Sequence, residues 1–147
     1  MCTYSYSYVW WDWKRWEYEI DWTALNGINL VYAQTAAEYS LMNVFLDLGF
    51  SRKQTNEFFT GPAYLAWFRM GNLKGFGGHL NDNWHTDQVN LLRKILRRYD
   101  DLGIKYVMPA FAGFVPDQII DLYPLNKFTQ STEWLNFGCN YSCVLMV

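Results

Sequence analysis

The side chains that could do chemistry here are few, and they sit in an aromatic background. Residues 28–33, Ile-Asn-Leu-Val-Tyr-Ala, are short, mostly apolar and rich in strand formers, and Gln34, Thr35 and Glu38 follow directly. Such a run suits a strand covered on both faces of a parallel sheet. In α/β folds, ligands bind beyond the carboxyl ends of the strands. Glu38 is therefore the carboxylate best placed by position, as a hydrogen-bonding or structural group ahead of a catalytic one. Asn56-Glu57, the one Asn-Glu pair, falls inside a helical stretch. His79 and His85 with Asp82 and Asp87 carry metal-capable atoms, but their spacing matches no usual zinc cluster. They read as a loop histidine and a histidine near a helix start, so no metal and no cofactor is expected. The loop around Gly75-Phe76-Gly77-Gly78 has the glycines of a phosphate cradle. It follows a helix and lacks the Gly-Lys-Ser/Thr ending, so an active-site or surface loop is the better reading. Cys139 and Cys143 flank Asn140-Tyr141-Ser142, the only N-x-S/T sequon. A sequon is used only in the secretory pathway, and a short-loop disulfide persists only in an oxidising compartment. A chance sequon beside two free thiols is the other reading.

The elements that would position these groups follow from spacing. Trp13, Trp16, Ile20 and Ala24 recur every three or four residues and line one face of a helix that Asn26-Gly27 ends. A helix is expected over 36–48, with Leu41, Val44, Phe45 and Leu48 inward and Gly49 as its stop. Ser51 and Gln54 have the form of a capping box for the next helix, which closes at Thr60-Gly61. Pro62 suits the first turn of a short helix reaching Met70. The clearest amphipathic helix spans 86–102, with Val89, Leu92, Ile95, Leu96 and Tyr99 as its buried stripe. Residues 105–111 form the next strand, and a short helix opened by Pro116 runs to Tyr123. Residues 3–9 alternate with period two and read as a strand or its extended exit. The tail from Leu125 is irregular until a final apolar run at 143–147. Repeated βα units make a parallel sheet the first choice.

Composition bounds the rest. The 147 residues have the size of one ordinary domain, 51% of them hydrophobic and 20% aromatic. Rings in this number supply either the core of a larger α/β enzyme or flat faces for sugars and partners. The net charge of −2 argues against a nucleic-acid partner. Arg93-Lys94 and Arg97-Arg98, beside Asp100 and Asp101, read as a solvated helix face. Met1-Cys2-Thr3-Tyr4 reads as neither the basic n-region nor the apolar h-region of a signal peptide, and there is no run of the about 20 apolar residues that a membrane span needs. Taken literally, the chain is cytoplasmic, against the Cys139–Cys143 segment.

Five stretches then carry a resemblance. Residues 9–30 (VWWDWKRWEYEIDWTALNGINL), 56–73 (NEFFTGPAYLAWFRMGNL), the glycine loop leading to Trp84-His85, 107–116 (VMPAFAGFVP) and 139–143 (CNYSC) resemble, in order, the alpha-N-acetylglucosaminidases, glycoside hydrolase family 89. The resemblance covers essentially the whole chain. It implies an incomplete (β/α)8 TIM-barrel fragment, of about three parallel strands with helices and long βα connections. Residues 1–147 would be part of a catalytic domain truncated at both ends, since such barrels take about 250 residues. It implies a retaining exo-glycosidase acting on terminal alpha-linked N-acetylglucosamine, as in heparan sulfate, in a lysosomal glycoprotein, possible as a homo-oligomer. It favours the secretory reading of Cys139 and Cys143, although the sequon at Asn140 is shifted from the family's position by about two residues.

A retaining glycosidase needs two carboxyl groups about 5–5.5 Å apart. In the family both are glutamates on later strands, one in an Asn-Glu pair downstream of the cysteines. No Asn-Glu follows Cys143, so neither catalytic glutamate is expected in this chain, which alone should be inactive. Cys2, Trp67 and Trp134 match residues that line the family's sugar pocket. On the residues alone they are a small buried hydrophobe, the apolar face of a helix and a loop anchor. The family's loop before Glu38 is Trp-Ser-Gly-Gln-Glu, where this chain has Ala33-Gln34-Thr35-Ala36-Ala37. The alternative function is a non-catalytic carbohydrate-binding or interaction protein that kept the aromatic wall.

Overall fold

The structure, a computed structural model, describes residues 2–130 and 144–146. Its elements in order are α1 (Cys2–Tyr6), a 3-10 turn (Tyr8–Trp10), α2 (Trp13–Leu25), β1 (Leu30–Tyr32), α3 (Ala37–Asp47), α4 (Arg52–Phe58), a 3-10 turn (Pro62–Tyr64), α5 (Leu65–Arg69), α6 (Asp82–Asp101), β2 (Lys105–Val107), β3 (Phe114–Val115), α7 (Ile119–Leu122), β4 (Phe128–Gln130) and β5 (Val144–Met146). The chain divides into two compact units, Met1–Tyr39 with Asn81–Ala110, and Ser40–Leu80 with Phe111–Val147.

The first unit is built on α2 and α6. The Asp12 side chain accepts a bond from the Arg15 N–H at 2.9 Å and caps α2. Gly27, at φ 73°, ends that region. Trp16 and Ile20 from α2 meet Ile95 and Tyr99 from α6 and Ile104 just beyond it, and this is the unit's core. Burying side chains of that size stabilises by about 1.5–3 kcal/mol each. Arg98 donates from Nε and Nη2 to one oxygen of Asp21, at 2.9 and 2.7 Å, tying α6 to α2. Gly103 turns the chain into β2, which pairs in parallel with β1 in the register Leu30–Lys105, Val31–Tyr106 and Tyr32–Val107. The expected αβ order of this unit is thus present.

Two expectations fail here. Residues 3–9 are helical: Ser7 N–H bonds the Thr3 carbonyl at 3.0 Å, and a 3-10 turn follows. Tyr4 and Tyr8 pack edge-on at 4.9 Å and both rest on Trp16. The alternating tyrosines are also four apart, a helical spacing, and packing on Trp16 selects it over the strand. The strand at 28–33 is not covered on both faces either, since Leu30 is 58% exposed. Among the described residues only β2 pairs with β1.

The second unit centres on phenylalanines. Phe45 of α3 meets Phe58 of α4 edge-on at 5.2 Å, and Phe58 meets Phe68 of α5 at 5.3 Å. Edge-to-face pairs of this kind add about 0.5–1.5 kcal/mol beyond area burial. The capping box of α4 is present: Gln54 N–H bonds Ser51 Oγ at 3.3 Å and Ser51 N–H bonds Gln54 Oε1 at 2.8 Å. The inward face of α3 differs from expectation, because Met42 and Phe45 are buried while Val44 is exposed. Residues 114–115 and 128–130 pair antiparallel with 144–146 in the strand order β3-β5-β4. The fold is therefore α/β with one parallel pair and one antiparallel sheet, where about three parallel strands were expected. The third was the reading of residues 3–9, which α1 and the 3-10 turn take up, and the final apolar run instead supplies β5, the central strand of the antiparallel sheet.

Candidate substrate-binding site

The carboxyl end of β1 is where the unusual features gather. Ala33 N–H bonds the Val107 carbonyl at 2.8 Å, extending the ladder one residue past the strand. The chain then turns back into α3 through Ala37 N–H to the Gln34 carbonyl at 3.2 Å and Tyr39 N–H to the Ala36 carbonyl at 3.1 Å. Ala36 takes φ 61°, the only non-glycine in the left-handed region among the described residues. A residue with a Cβ is strained there, and such strain concentrates at functional sites.

Polar side chains are buried at this turn. Gln34 is 4% exposed and Glu38 3% exposed, with Thr35 buried between them. The Oε1 of Gln34 has no hydrogen-bond partner among the described residues. Glu38 sits in the first turn of α3, where the free N–H groups and the helix dipole favour a carboxylate. His85, expected near a helix start, is inside the first turns of α6 and buried, with its ring 6.3 Å from that of Tyr39. His79 is an exposed loop residue, as its neighbours suggested.

Trp67 belongs to the second unit. In α5 the buried positions are Leu65, Ala66 and Phe68, and Trp67 is only half-buried. Asn72 and Leu73 donate to the Trp67 carbonyl at 2.9 and 3.4 Å, so the glycine turn is anchored on this residue. That turn is a close-packed structure: Gly61 N–H bonds the Phe76 carbonyl at 2.9 Å, and a Cβ on Gly61 would meet the Gly77 carbonyl. Gly75 N–H is likewise bonded within the protein, to the Phe58 carbonyl at 3.1 Å.

Cys2 is the first residue of α1. Trp134, Cys139, Asn140 and Cys143 lie outside the described residues. Among the described residues, no group of three His, Cys, Asp or Glu side chains could hold a metal ion. Nor is any helix among them long and apolar enough to cross a membrane. Sequence reasoning missed Gln34 and the Ala36 strain. The signal for Ala36 was available, since it stands two residues before Glu38, as the family's glycine stands two before its glutamate.

Comparison with known proteins decides the family. The family model described as "Alpha-N-acetylglucosaminidase (NAGLU) tim-barrel domain" matches residues 1–147. The chain belongs to the alpha-N-acetylglucosaminidase family. It is 48% identical over 147 residues to Alpha-N-acetylglucosaminidase from Homo sapiens, covering 100% of this chain and 20% of that protein. Two solved structures of family 89 glycoside hydrolase from Clostridium perfringens are 35% identical and superpose with a TM-score of 0.87 over 99% of this chain and 16% of theirs. One is in complex with 2-acetamido-1,2-dideoxynojirmycin, and the other is a double Glu-to-Gln variant in complex with its substrate GlcNAc-alpha-1,4-galactose. The chain thus spans about a fifth of the human alpha-N-acetylglucosaminidase it matches.

Proposed function

We propose that this chain is part of the catalytic barrel of a retaining exo-glycosidase that removes terminal alpha-linked N-acetylglucosamine. The observation that carries the reading is the whole-length match, at 48% identity, to a glycosidase of that specificity. In it, Trp67 offers a partly open indole face to the C–H face of a pyranose. Cys2 and Trp134 enter the reading only through their match to residues that line the family's sugar pocket. Glu38, buried at the end of β1, orients the turn rather than attacking the sugar. The two catalytic glutamates lie outside this chain. Retention requires such a pair about 5–5.5 Å apart, and the bacterial relative that holds substrate carries two Glu-to-Gln exchanges. The natural substrate we infer is a heparan sulfate end, hydrolysed in the lysosome by a glycosylated protein with Cys139 and Cys143 paired and Asn140 as the acceptor.

Two measurements test this. The 147-residue chain should be folded by circular dichroism yet leave a chromogenic alpha-N-acetylglucosaminide intact. Turnover by the folded chain would place a catalytic carboxylate inside it and make Glu38 the first residue to replace. Exchanging the chain for the matching segment of the human relative should retain hydrolysis, and Trp67→Ala in that chimera should lower kcat/KM by about tenfold or more, the loss of one stacked ring face in a buried site. A Trp67→Ala chimera as active as its parent would remove Trp67 from the pocket.

A further inference from the structure

Tyr4 does more in the first unit than select a helix at residues 3–9. Its ring meets Tyr8 edge-on at 4.9 Å, Trp16 of α2 at 5.6 Å and Tyr32 of β1 edge-on at 5.9 Å. Its hydroxyl is hydrogen-bonded to that of Tyr99 in α6. One side chain thus ties α1 to α2, β1 and α6, all within one compact unit. Ring pairs of this geometry fix an orientation as well as burying area. The tie matters because α1 has five residues. A helix that short does not hold itself together in water, so its place is decided by what its side chains pack on. Thr3 and Tyr6 are exposed, and the inward side chains described in α1 are Tyr4 and Ser5.

The partners of Tyr4 lead to the candidate site. Tyr32 is the last residue of β1. The turn that follows it holds the buried Gln34, Thr35 and Glu38 and the strained Ala36. Tyr4 therefore spans the two parts of the site that lie in this unit: α1, which begins at Cys2, and the carboxyl end of β1. The tie is braced from the other side. The Tyr8 hydroxyl donates to Glu19 Oε1 at 3.1 Å, and Arg15 Nη2 donates to Glu19 Oε2 at 3.2 Å. The same guanidinium lies 4.2 Å from the centre of the Trp11 ring. Tyr8, held in this way, is the edge on which the Tyr4 ring rests.

We propose that Tyr4 is a positioning residue of the sugar site: it fixes α1, with Cys2 at its head, against the carboxyl end of β1, and so sets how tightly a terminal N-acetylglucosamine is held. The inference rests on the reading of Cys2 as a pocket residue. Tyr4 itself touches no reacting atom. A pocket wall set by packing favours substrate and transition state alike, so its displacement raises KM and leaves kcat. A purely structural loss does the reverse. It removes folded molecules, which lowers kcat per mole of protein and leaves the KM of those that remain.

The test uses the chimera with the human relative and a chromogenic alpha-N-acetylglucosaminide, with kcat and KM measured separately. Tyr4→Ala should raise KM about tenfold and keep kcat within about twofold of the parent. Tyr4→Phe keeps the three ring contacts and gives up only the bond to Tyr99, so its KM should stay close to the parent's. A lower kcat at constant KM for Tyr4→Ala makes Tyr4 a stability residue and overturns the proposal. Cys2→Leu separates the inference from the reading beneath it. A raised KM for Cys2→Leu beside an unchanged KM for Tyr4→Ala overturns the positioning role alone. An unchanged KM for Cys2→Leu takes Cys2 out of the pocket, and the inference falls with it. Amide exchange in the 147-residue chain gives a readout without activity. Ser7 N–H, bonded to the Thr3 carbonyl at 3.0 Å, should exchange at least about tenfold faster in Tyr4→Ala. Thr55 N–H, bonded to the Ser51 carbonyl in the second unit, should be unmoved. An unchanged rate at Ser7 shows that Tyr4 does not hold α1 and overturns the proposal as well.

Discussion

Ala36 is the residue where local chemistry and the fold disagree most. Its φ of 61° costs an L-residue about 1–2 kcal/mol, and glycine adopts the same angle freely. Part of that gain returns as extra entropy of the unfolded chain. Ala36→Gly should therefore stabilise by about 0.5–1 kcal/mol net, read as an upward shift of the thermal midpoint. A lower midpoint would mean that neighbouring packing has already relaxed the strain. Lys74 and Asp117 make a second prediction at this scale. The Asp117 carboxyl is raised by burial from 3.8 to about 6 on folding, so the native state holds its proton longer and stability falls as pH rises across that window. The Lys74 ammonium is lowered by burial from 10.5 to about 8, so the unfolded chain holds more protons there and stability rises with pH across that window. These two groups together place a trough between about pH 6 and 8. Urea unfolding of Asp117→Asn from pH 3.5 to 7 should show a flatter acid limb than the parent, and an unchanged limb would assign it elsewhere.

At the scale of the element, the glycine stops are equal in sequence and unequal in structure. Gly27 and Gly71 both take positive φ, at 73° and 80°. Around Gly27 there is open space for a Cβ, whereas at Gly71 the ring of Phe114 occupies it. Gly27→Ala should cost about 1 kcal/mol, the left-handed penalty alone. Gly71→Ala should cost clearly more, because the Phe114 ring must move and the turn bearing Lys74 moves with it. Equal urea midpoints for the two variants would show that the ring yields freely. Ser51→Ala supplies a calibration, since removing one half of a capping box costs about 1 kcal/mol.

For the whole molecule the open question is what covers the parallel pair. Leu30 and Val107, on β1 and β2, are 58% and 51% exposed. Parallel sheets are ordinarily covered on both faces, and the chain accounts for 20% of the human relative's length. In the chimera with that relative, the backbone amides of residues 30–32 and 105–107 should exchange at least about tenfold more slowly than in the chain alone, because burial and neighbouring strands raise the free energy of local opening. Exchange at the same rate in both would argue that the pair stays open in the assembled barrel.

Much was legible before any tertiary information. The capping box at Ser51 and Gln54, the face of α2 on Trp16 and Ile20, the face of α6 on Ile95 and Tyr99, and the glycine stops all follow from interactions within a few residues. The tryptophan-dense run at 9–30 pointed to the family for the same reason, as it is a long local string. Local pattern could not settle residues 3–9, where tyrosines spaced by two are also spaced by four and Trp16 chose the helix. Nor could it foresee an antiparallel sheet whose partners, Val115 and Val144, stand far apart in the chain. The strain at Ala36 and the buried amide of Gln34 belong with these. Each depends on which distant residues close over a position, and that is set by chain packing rather than by any spacing written in the sequence.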